Sequence, residues 1–126
     1  MQTFIIFNAR EPLTPNIMNK SCLILECQKQ ILRVELTSIY YMQYQEGITT
    51  IHRQGDKQLL SCQALKDLQQ QLSGSFVRIN RNIIISLSYL VAYKKNSRTV
   101  LLEDGSHFSV SRRNIGPLLD KIMAMN

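Results

Sequence analysis

From residue 21 onward, the chain is dominated by short segments in which apolar and polar residues alternate. In residues 31–36, Leu32, Val34 and Leu36 fall on one face, and Ile31, Arg33 and Glu35 fall on the other. This period of two is typical of a β-strand with one buried face. The sequence predicts strands at residues 22–27, 31–36, 39–44, 48–53, 57–61, 76–79, 83–85, 89–94, 99–102 and 107–110.

Most of the predicted strands are joined by short turns. Glu46-Gly47, residues 54–56 and residues 103–105 each contain glycine, and residues 95–98 separate two further strands. Because loops of two to five residues connect antiparallel neighbours, we expect mainly antiparallel sheets.

Two segments have helical features. Leu65, Leu68 and Leu72 recur at helical spacing within residues 63–72, and Ser73-Gly74 is expected to end that helix. Ser111 is placed to cap a final helix running toward Met123, in which Pro117 should kink or delay the helix. The predicted fold class is therefore mainly β: an elongated domain of antiparallel sheets with one mid-chain helix and a short C-terminal helix.

The first 20 residues differ from the rest. A short apolar run at residues 3–7 predicts one strand or docking segment, and the proline- and asparagine-rich residues that follow predict a linker. We therefore divide the chain into an extension at residues 1–20 and a single domain at residues 21–126. The sequence has no secretory signal pattern and no apolar run of about 20 residues, so a cytoplasmic location without a membrane partner is expected.

The positive charge is concentrated in the last third of the chain. Residues 76–121 hold eight basic and three acidic residues, whereas residues 1–75 hold seven basic and six acidic ones. This distribution is typical of a surface that faces a polyanion. A solvated basic face would give the same composition, so the charge alone leaves both interpretations open.

No catalytic or metal-binding pattern is recognisable. His52 and His107 stand alone, the three cysteines (Cys22, Cys27 and Cys62) form no CxxC pair, and no glycine-rich phosphate loop occurs. The sequence therefore predicts no enzyme activity, no metal and no cofactor.

Two polar clusters have side chains suited to DNA. Arg78-Ile79-Asn80-Arg81-Asn82 combines arginine, which pairs with guanine edges, and asparagine, which pairs with adenine edges. Arg112 and Arg113 fall in the first turn of the predicted final helix, where a phosphate is favoured. Lys95 is a candidate for a phosphate contact on a hairpin tip. The alternatives are a polar loop held by its own asparagines, a structural Arg78, and ordinary surface cations.

Four motifs in order resemble the LytTR family. Residues 76–85 (FVRINRNIII) resemble its F-x-R-x-H-R-S signature, residues 39–42 its I-x-Y-I strand, and residues 64–68 its S-L-K-E-L helix. Residues 104–105 and 110–113 resemble its D-G…V-S-R-R ending. The chain departs from the signature at Asn80 and Asn82, where the family usually has histidine and serine, and at Ser86, where asparagine is frequent.

The resemblance implies a fold of about ten strands and a bacterial transcription regulator of two-component type. It implies sequence-specific binding of double-stranded DNA by loops that enter two successive major grooves of bent DNA. By position, the reading loops would be residues 46–50, 80–82 and 112–113. Candidate DNA contacts are Gly47, Ile48, Thr49, Arg78, Asn80, Arg81, Asn82, Lys95, Arg112 and Arg113.

Within that set, Arg81 and Arg112 are expected at or near bases, and Arg78, Arg113 and Lys95 at phosphates. A homodimer on repeated half-sites and a regulatory protein partner stay open. So does a competing function, a protein-interaction module that has lost DNA reading. Family members usually carry a phosphoreceiver, which 20 residues cannot form, so the sequence fits a stand-alone regulator or one part of a longer protein.

Overall fold

The structure, a computed structural model, describes residues 21–27, 29–55 and 57–125. The strand and linker predicted within residues 1–20 lie outside the described residues. Within them, the order of strands and helices follows the prediction; most strand boundaries coincide with it, and the others differ by one residue. The strands are β1 (Cys22–Cys27), β2 (Gln30–Glu35), β3 (Ile39–Gln45), β4 (Ile48–Arg53), β5 (Lys57–Ser61), β6 (Phe76–Asn80), β7 (Ile83–Ser86), β8 (Leu90–Lys94), β9 (Thr99–Leu102) and β10 (His107–Ser109); the helices are α1 (Leu65–Gln69) and α2 (Arg112–Met123).

The ten strands form three antiparallel sheets, which confirms the predicted mainly β class. A five-stranded sheet has the order β5-β4-β3-β7-β6, β1 pairs with β2, and the third sheet has the order β10-β9-β8. Short 3-10 turns at Leu36–Ser38 and Leu87–Tyr89 lead into β3 and β8. Because the hairpins are local, each strand pairs mainly with its sequence neighbour.

The five-stranded sheet is the middle layer, with a hydrophobic core on each face. Met42 and Ile84 belong to the core shared with β1, β2 and α1. Tyr41, Ile83 and Ile85 belong to the core shared with β9 and α2. Alternate residues of one strand thus enter different cores, which explains why three consecutive isoleucines suit β7.

Helix α1 is shorter than the sequence predicted. The prediction placed the helix at residues 63–72, whereas the structure has Leu65–Gln69 with Gln70 as C-cap, and Gly74 does not adopt a positive φ. The predicted Ser73-Gly74 C-cap is therefore wrong. After Gln69, the backbone tightens into turns with Leu72 still buried.

The side chain of Gln71, just beyond α1, is used on a neighbouring strand. Its Oε1 accepts from Ile24 N–H at 2.9 Å, and its Nε2 donates to Ile24 C=O at 3.1 Å. Ser61 Oγ similarly donates to Glu26 C=O, and Gln63 Oε1 accepts from Glu26 N–H. Side chains therefore pair the edge of β1 that β2 leaves open, which protects this edge from other chains. They also tie residues 61–71 to β1.

Helix α2 runs from Arg112 to Met123 with Pro117 inside it. Pro117 does not delay the start of the helix, contrary to one of the predicted alternatives. Within the helix, its ring nitrogen has no proton to donate to Arg113 C=O. Ser111 occupies the predicted N-cap position but makes no capping hydrogen bond with its side chain. Instead, Ser111 Oγ donates to Asn114 Oδ1 at 2.6 Å. No helix in the described part of the chain is long and apolar enough to span a membrane.

Candidate nucleic-acid interface

Four connections meet at one end of the molecule. Gln43 of β3 is opposite Ile83 of β7, and Asn80 of β6 is also opposite Ile83, so β3 and β6 end where β7 begins. The β3–β4 and β6–β7 turns are therefore at the same end of the five-stranded sheet. Ser111 N–H donates to Ile79 C=O at 2.9 Å, which adds the start of α2. Val110 N–H donates to Arg98 C=O at 2.8 Å, which adds the β8–β9 turn.

An open groove of about 910 Å³ lies at this end. The β6–β7 turn and the start of α2 form much of its wall, and β3 and β10 complete it. Its lining residues are Gln43, Arg78, Asn80, Arg81, Asn82, Ile83, Phe108, Ser109, Ser111, Arg113 and Asn114. Arg81 and Arg113, which are 32 positions apart in the chain, therefore line one surface.

The β6–β7 turn exposes two side chains that have no partner in the described part of the chain. Arg81 and Asn82 are exposed, and neither side chain makes a hydrogen bond or ion pair with another described residue. The backbone of Asn82 is held, since its C=O accepts from Tyr44 N–H at 2.9 Å. An arginine and an asparagine on a fixed backbone are thus available to an external partner.

The side chain of Arg78, unlike that of Arg81 three positions later, is hydrogen-bonded inside the protein. Its guanidinium donates to Arg81 C=O at 2.7 Å, to Asn80 C=O at 3.2 Å and to Gln69 Oε1 at 3.3 Å. Partial burial lowers the pKa of the Arg78 guanidinium, although the group remains protonated at neutral pH. Arg78 therefore supports the turn from below and connects it to α1.

Asn80 and Asn114 also form internal bonds. Asn80 Oδ1 accepts from Asn82 N–H at 2.8 Å, and Asn80 Nδ2 donates to Ser109 C=O at 2.8 Å. Asn114 Nδ2 donates to Arg78 C=O at 3.0 Å. These bonds join the β6–β7 turn, the end of β10 and the first turn of α2.

The first turn of α2 presents two arginines to solvent. Arg112 and Arg113 are both exposed, and their side chains make no hydrogen bond or ion pair with residues 21–27, 29–55 or 57–125. Arg113 lines the groove, whereas Arg112 stands outside its lining. The helix has no acidic residue in its first turn, so its free N–H groups and both cations favour an anion here.

Comparison with known proteins identifies this arrangement. A family model described as the LytTr DNA-binding domain matches residues 29–123. The chain belongs to the LytTR family of DNA-binding domains. The solved structure of the LytTr DNA-binding domain of a putative methyl-accepting/DNA response regulator from Bacillus cereus matches with a TM-score of 0.70 and 16% identity, covering 82% of this chain and 98% of that one. At that identity, the likeness concerns the fold. No match was found among curated proteins.

The β3–β4 turn of this LytTR domain is a two-residue hairpin loop, since Gln45 is opposite Ile48. Glu46 and Gly47 both have positive φ, at 51° and 84°, which defines a type I′ turn. Gly47 and Ile48 are exposed. Thr49 is fully buried, and its hydroxyl donates to Gln63 C=O at 2.7 Å. The end of this hairpin is thus open to a partner, whereas the side chain of Thr49 is not.

The β8–β9 hairpin of the LytTR domain adds exposed cations at the same end. Lys94, Lys95 and Arg98 are all exposed. Arg98 has a positive φ of 51°, and its C=O holds Val110, the residue before Ser111. Lys95 is therefore near the start of α2 but outside the groove lining.

The two histidines of the LytTR domain are apart from the groove. His52 stacks on Tyr41 with ring centroids 4.2 Å apart, and its Nδ1 is 3.3 Å from Gln58 Nε2. Burial lowers the pKa of His52, and the negative charge of Asp104 opposes this shift in part. His107 is exposed on β10. The described residues contain no group of three or more His, Cys, Asp or Glu side chains that could hold a metal ion.

Some residues of the interface were missed at the sequence level. Gln43, Ser109 and Asn114 line the groove but were not among the predicted contacts. The signal for Asn114 was present, because Ser111-x-x-Asn114 resembles a helix-capping pair. No local pattern identified Gln43 or Ser109, because both reach the groove through strand pairing.

Proposed function

We propose that this LytTR domain reads a specific double-stranded DNA sequence with the connections at the groove end and thereby regulates transcription. The observation that carries this proposal is that Arg81 and Arg113 line one groove and, like Arg112 in the same first turn of α2, have no side-chain partner among the described residues. Exposed cations on neighbouring connections create a positive potential that attracts a polyanion. Phosphates and guanine edges both fit the arginine fork.

The dimensions of this end suit a duplex. Neighbouring strands are about 4.8 Å apart, so the β3–β4 turn is roughly 10 Å from the β6–β7 turn and roughly 17 Å from the start of α2. The row formed by these three connections, roughly 17 Å long, exceeds the ~12 Å width of one major groove. It is shorter than the ~34 Å that separates successive major grooves on one face. Contacts in both grooves would be favoured by DNA that bends toward the protein, at a cost of about 1–6 kcal/mol.

The free and internally bonded side chains suggest separate roles. Arg81 and Asn82 are the base-reading candidates of the β6–β7 turn, and Arg112 is a candidate at or near bases. Arg113 and Lys95 are candidates for phosphate contacts, which position the protein without specifying sequence.

In the β3–β4 hairpin, Gly47 and Ile48 are the candidate contacts, because the hydroxyl of Thr49 is already bonded inside the protein. A branched apolar side chain such as that of Ile48 is suited to contact a thymine methyl group.

Selection of bound sequences from random duplex DNA tests the proposal. A single recovered motif would fit binding as a monomer, and a repeated motif would fit a homodimer on half-sites. Affinity for the recovered duplex should fall steeply with salt, with a slope of about −0.9 for each phosphate contact. Enrichment of no sequence, together with salt-insensitive binding of a protein partner, would contradict DNA reading and support an interaction module.

A further inference from the structure

The carboxamide of Asn80 has both of its polar atoms bonded inside the protein. Asn82 N–H can only donate and Ser109 C=O can only accept, so the two bonds fix which way the amide faces. Only one lone pair of Oδ1 and one proton of Nδ2 are left for an outside partner. This distinguishes Asn80 from Asn82, whose side chain makes no hydrogen bond within the described ranges of the chain.

The bond from Asn80 to Ser109 crosses between two elements that carry free arginines. Asn80 ends β6, directly before Arg81, and Ser109 ends β10, three positions before Arg112. Ser111 N–H and Ser111 Oγ, both bonded to Ile79 C=O, and Asn114 Nδ2, bonded to Arg78 C=O, link β6 to the start of α2 as well. The turn and the helix start are therefore held at one separation.

A fixed separation matters for DNA reading. A duplex presents its base edges and phosphates at set positions, so two guanidinium groups bind together only if their backbones are spaced to match. Freedom in that spacing would weaken binding, because it would have to be lost in the complex. It would also blur discrimination between neighbouring registers.

We propose that Asn80 is a positioning residue that sets the spacing between Arg81 and the start of α2, and so sharpens sequence specificity without contacting DNA. This inference rests on the proposed function. It assigns Asn80 a role different from the DNA contact that the sequence suggested, because its amide is already committed to Asn82 and Ser109.

Asn80→Ser tests the role, and Asn82→Ser, which removes a proposed base-reading amide that makes no bond to Ser109, is the comparison in the hydrogen-exchange experiment below. Serine keeps an acceptor oxygen near Asn82 N–H but is too short to reach Ser109 C=O. We expect affinity for the selected duplex to fall about threefold to tenfold, as loss of one hydrogen bond allows. Affinity for unrelated DNA and the salt slope should not change, because no phosphate contact is lost; a lost phosphate contact would reduce the slope by about 0.9.

A double-mutant cycle separates positioning from contact. If Asn80 acts through Arg81, adding Asn80→Ser to Arg81→Ala should change affinity by less than about twofold. If the loss from Asn80→Ser is instead as large in the Arg81→Ala background as in the wild type, Asn80 contacts DNA itself and the proposal is wrong.

Hydrogen exchange without DNA provides a separate readout. In Asn80→Ser, the amide of Ser111 should exchange several-fold faster, whereas Asn82→Ser should leave it unchanged. Unchanged exchange in Asn80→Ser would overturn the positioning role. If the wild-type chain binds no duplex, the proposed function fails, and the exchange rates still decide whether Asn80 holds the two segments together.

If Asn80→Ser does not fold, Asn80→Asp replaces it. Aspartate keeps the size and the acceptor oxygen of asparagine but cannot donate to Ser109 C=O. Asn96→Asp, at an exposed position of the β8–β9 turn at the same end, then controls for the added negative charge near DNA. A loss of specificity equal in the two aspartate variants would overturn the proposal.

Discussion

Replacing Arg81 by alanine isolates DNA reading from folding. The guanidinium of Arg81 is exposed and has no partner among the residues that the structure describes, and the Arg81 C=O that accepts from Arg78 is kept in alanine. The free energy of unfolding should therefore change by less than about 0.5 kcal/mol. A bidentate contact to guanine is worth about 1–3 kcal/mol, so affinity for the selected duplex should fall about 5- to 150-fold.

Fluorescence anisotropy against the selected duplex, and against duplexes with each base pair changed, measures this effect. At the one position of the site that Arg81 reads, Arg81→Ala should bind the duplexes with different base pairs with nearly equal affinity. Arg81→Lys keeps the charge but lacks the planar fork, so it should lose the same base preference while keeping more of the affinity for unrelated DNA. Lys57→Ala, which removes a charge at the opposite end of the same sheet, should have little effect. Retention of the full base preference in Arg81→Ala would refute the assignment.

Three further predictions concern stability. Gly47→Ala should lower the free energy of unfolding by about 1–2 kcal/mol, because φ is +84° at that position. Gly74→Ala should be nearly neutral, because Gly74 has no positive φ and a Cβ there would meet open space. Chemical denaturation measures both variants. Because burial lowers the pKa of His52, the unfolded chain binds the imidazole proton more tightly than the folded chain does. The free energy of unfolding should therefore fall as pH drops below about 6.5. His52→Gln should remove this part of the decline in urea melts from pH 5 to 8. Gln71→Ala should cost about 1–2 kcal/mol by leaving Ile24 N–H and C=O without their side-chain partner; a thermal midpoint equal to that of the wild type would contradict this account of the β1 edge.

The sequence alone predicted the strands and most turns of this LytTR domain. A period of two is a local property, and the Glu46-Gly47 turn depends only on the two residues that adopt positive φ. Ser111 was likewise placed correctly before α2. The helix at residues 63–72 was overpredicted, because its last residues are held by Gln71 on β1, a contact 47 positions away in the chain.

Only the tertiary structure decided which polar side chains of the interface are free. Arg78 and Arg81 are the same residue type, three positions apart, and composition cannot tell them apart. Strand pairing places Arg78 beneath the turn, where its donors meet Arg81 C=O and Gln69, and leaves Arg81 in solvent. The same holds for Thr49, because its buried hydroxyl donates to Gln63 C=O and is not available to a partner.

The sequence therefore determined where the chain is extended and where it turns, because those preferences are set by neighbouring residues. It also indicated that the basic surface belongs to the last third of the chain. The convergence of Arg81 with Arg113 and the commitment of Asn80 to Ser109 depend on bonds between distant segments, which exist only once the sheets have assembled. Such bonds decide whether a donor is satisfied inside the protein or left for a partner.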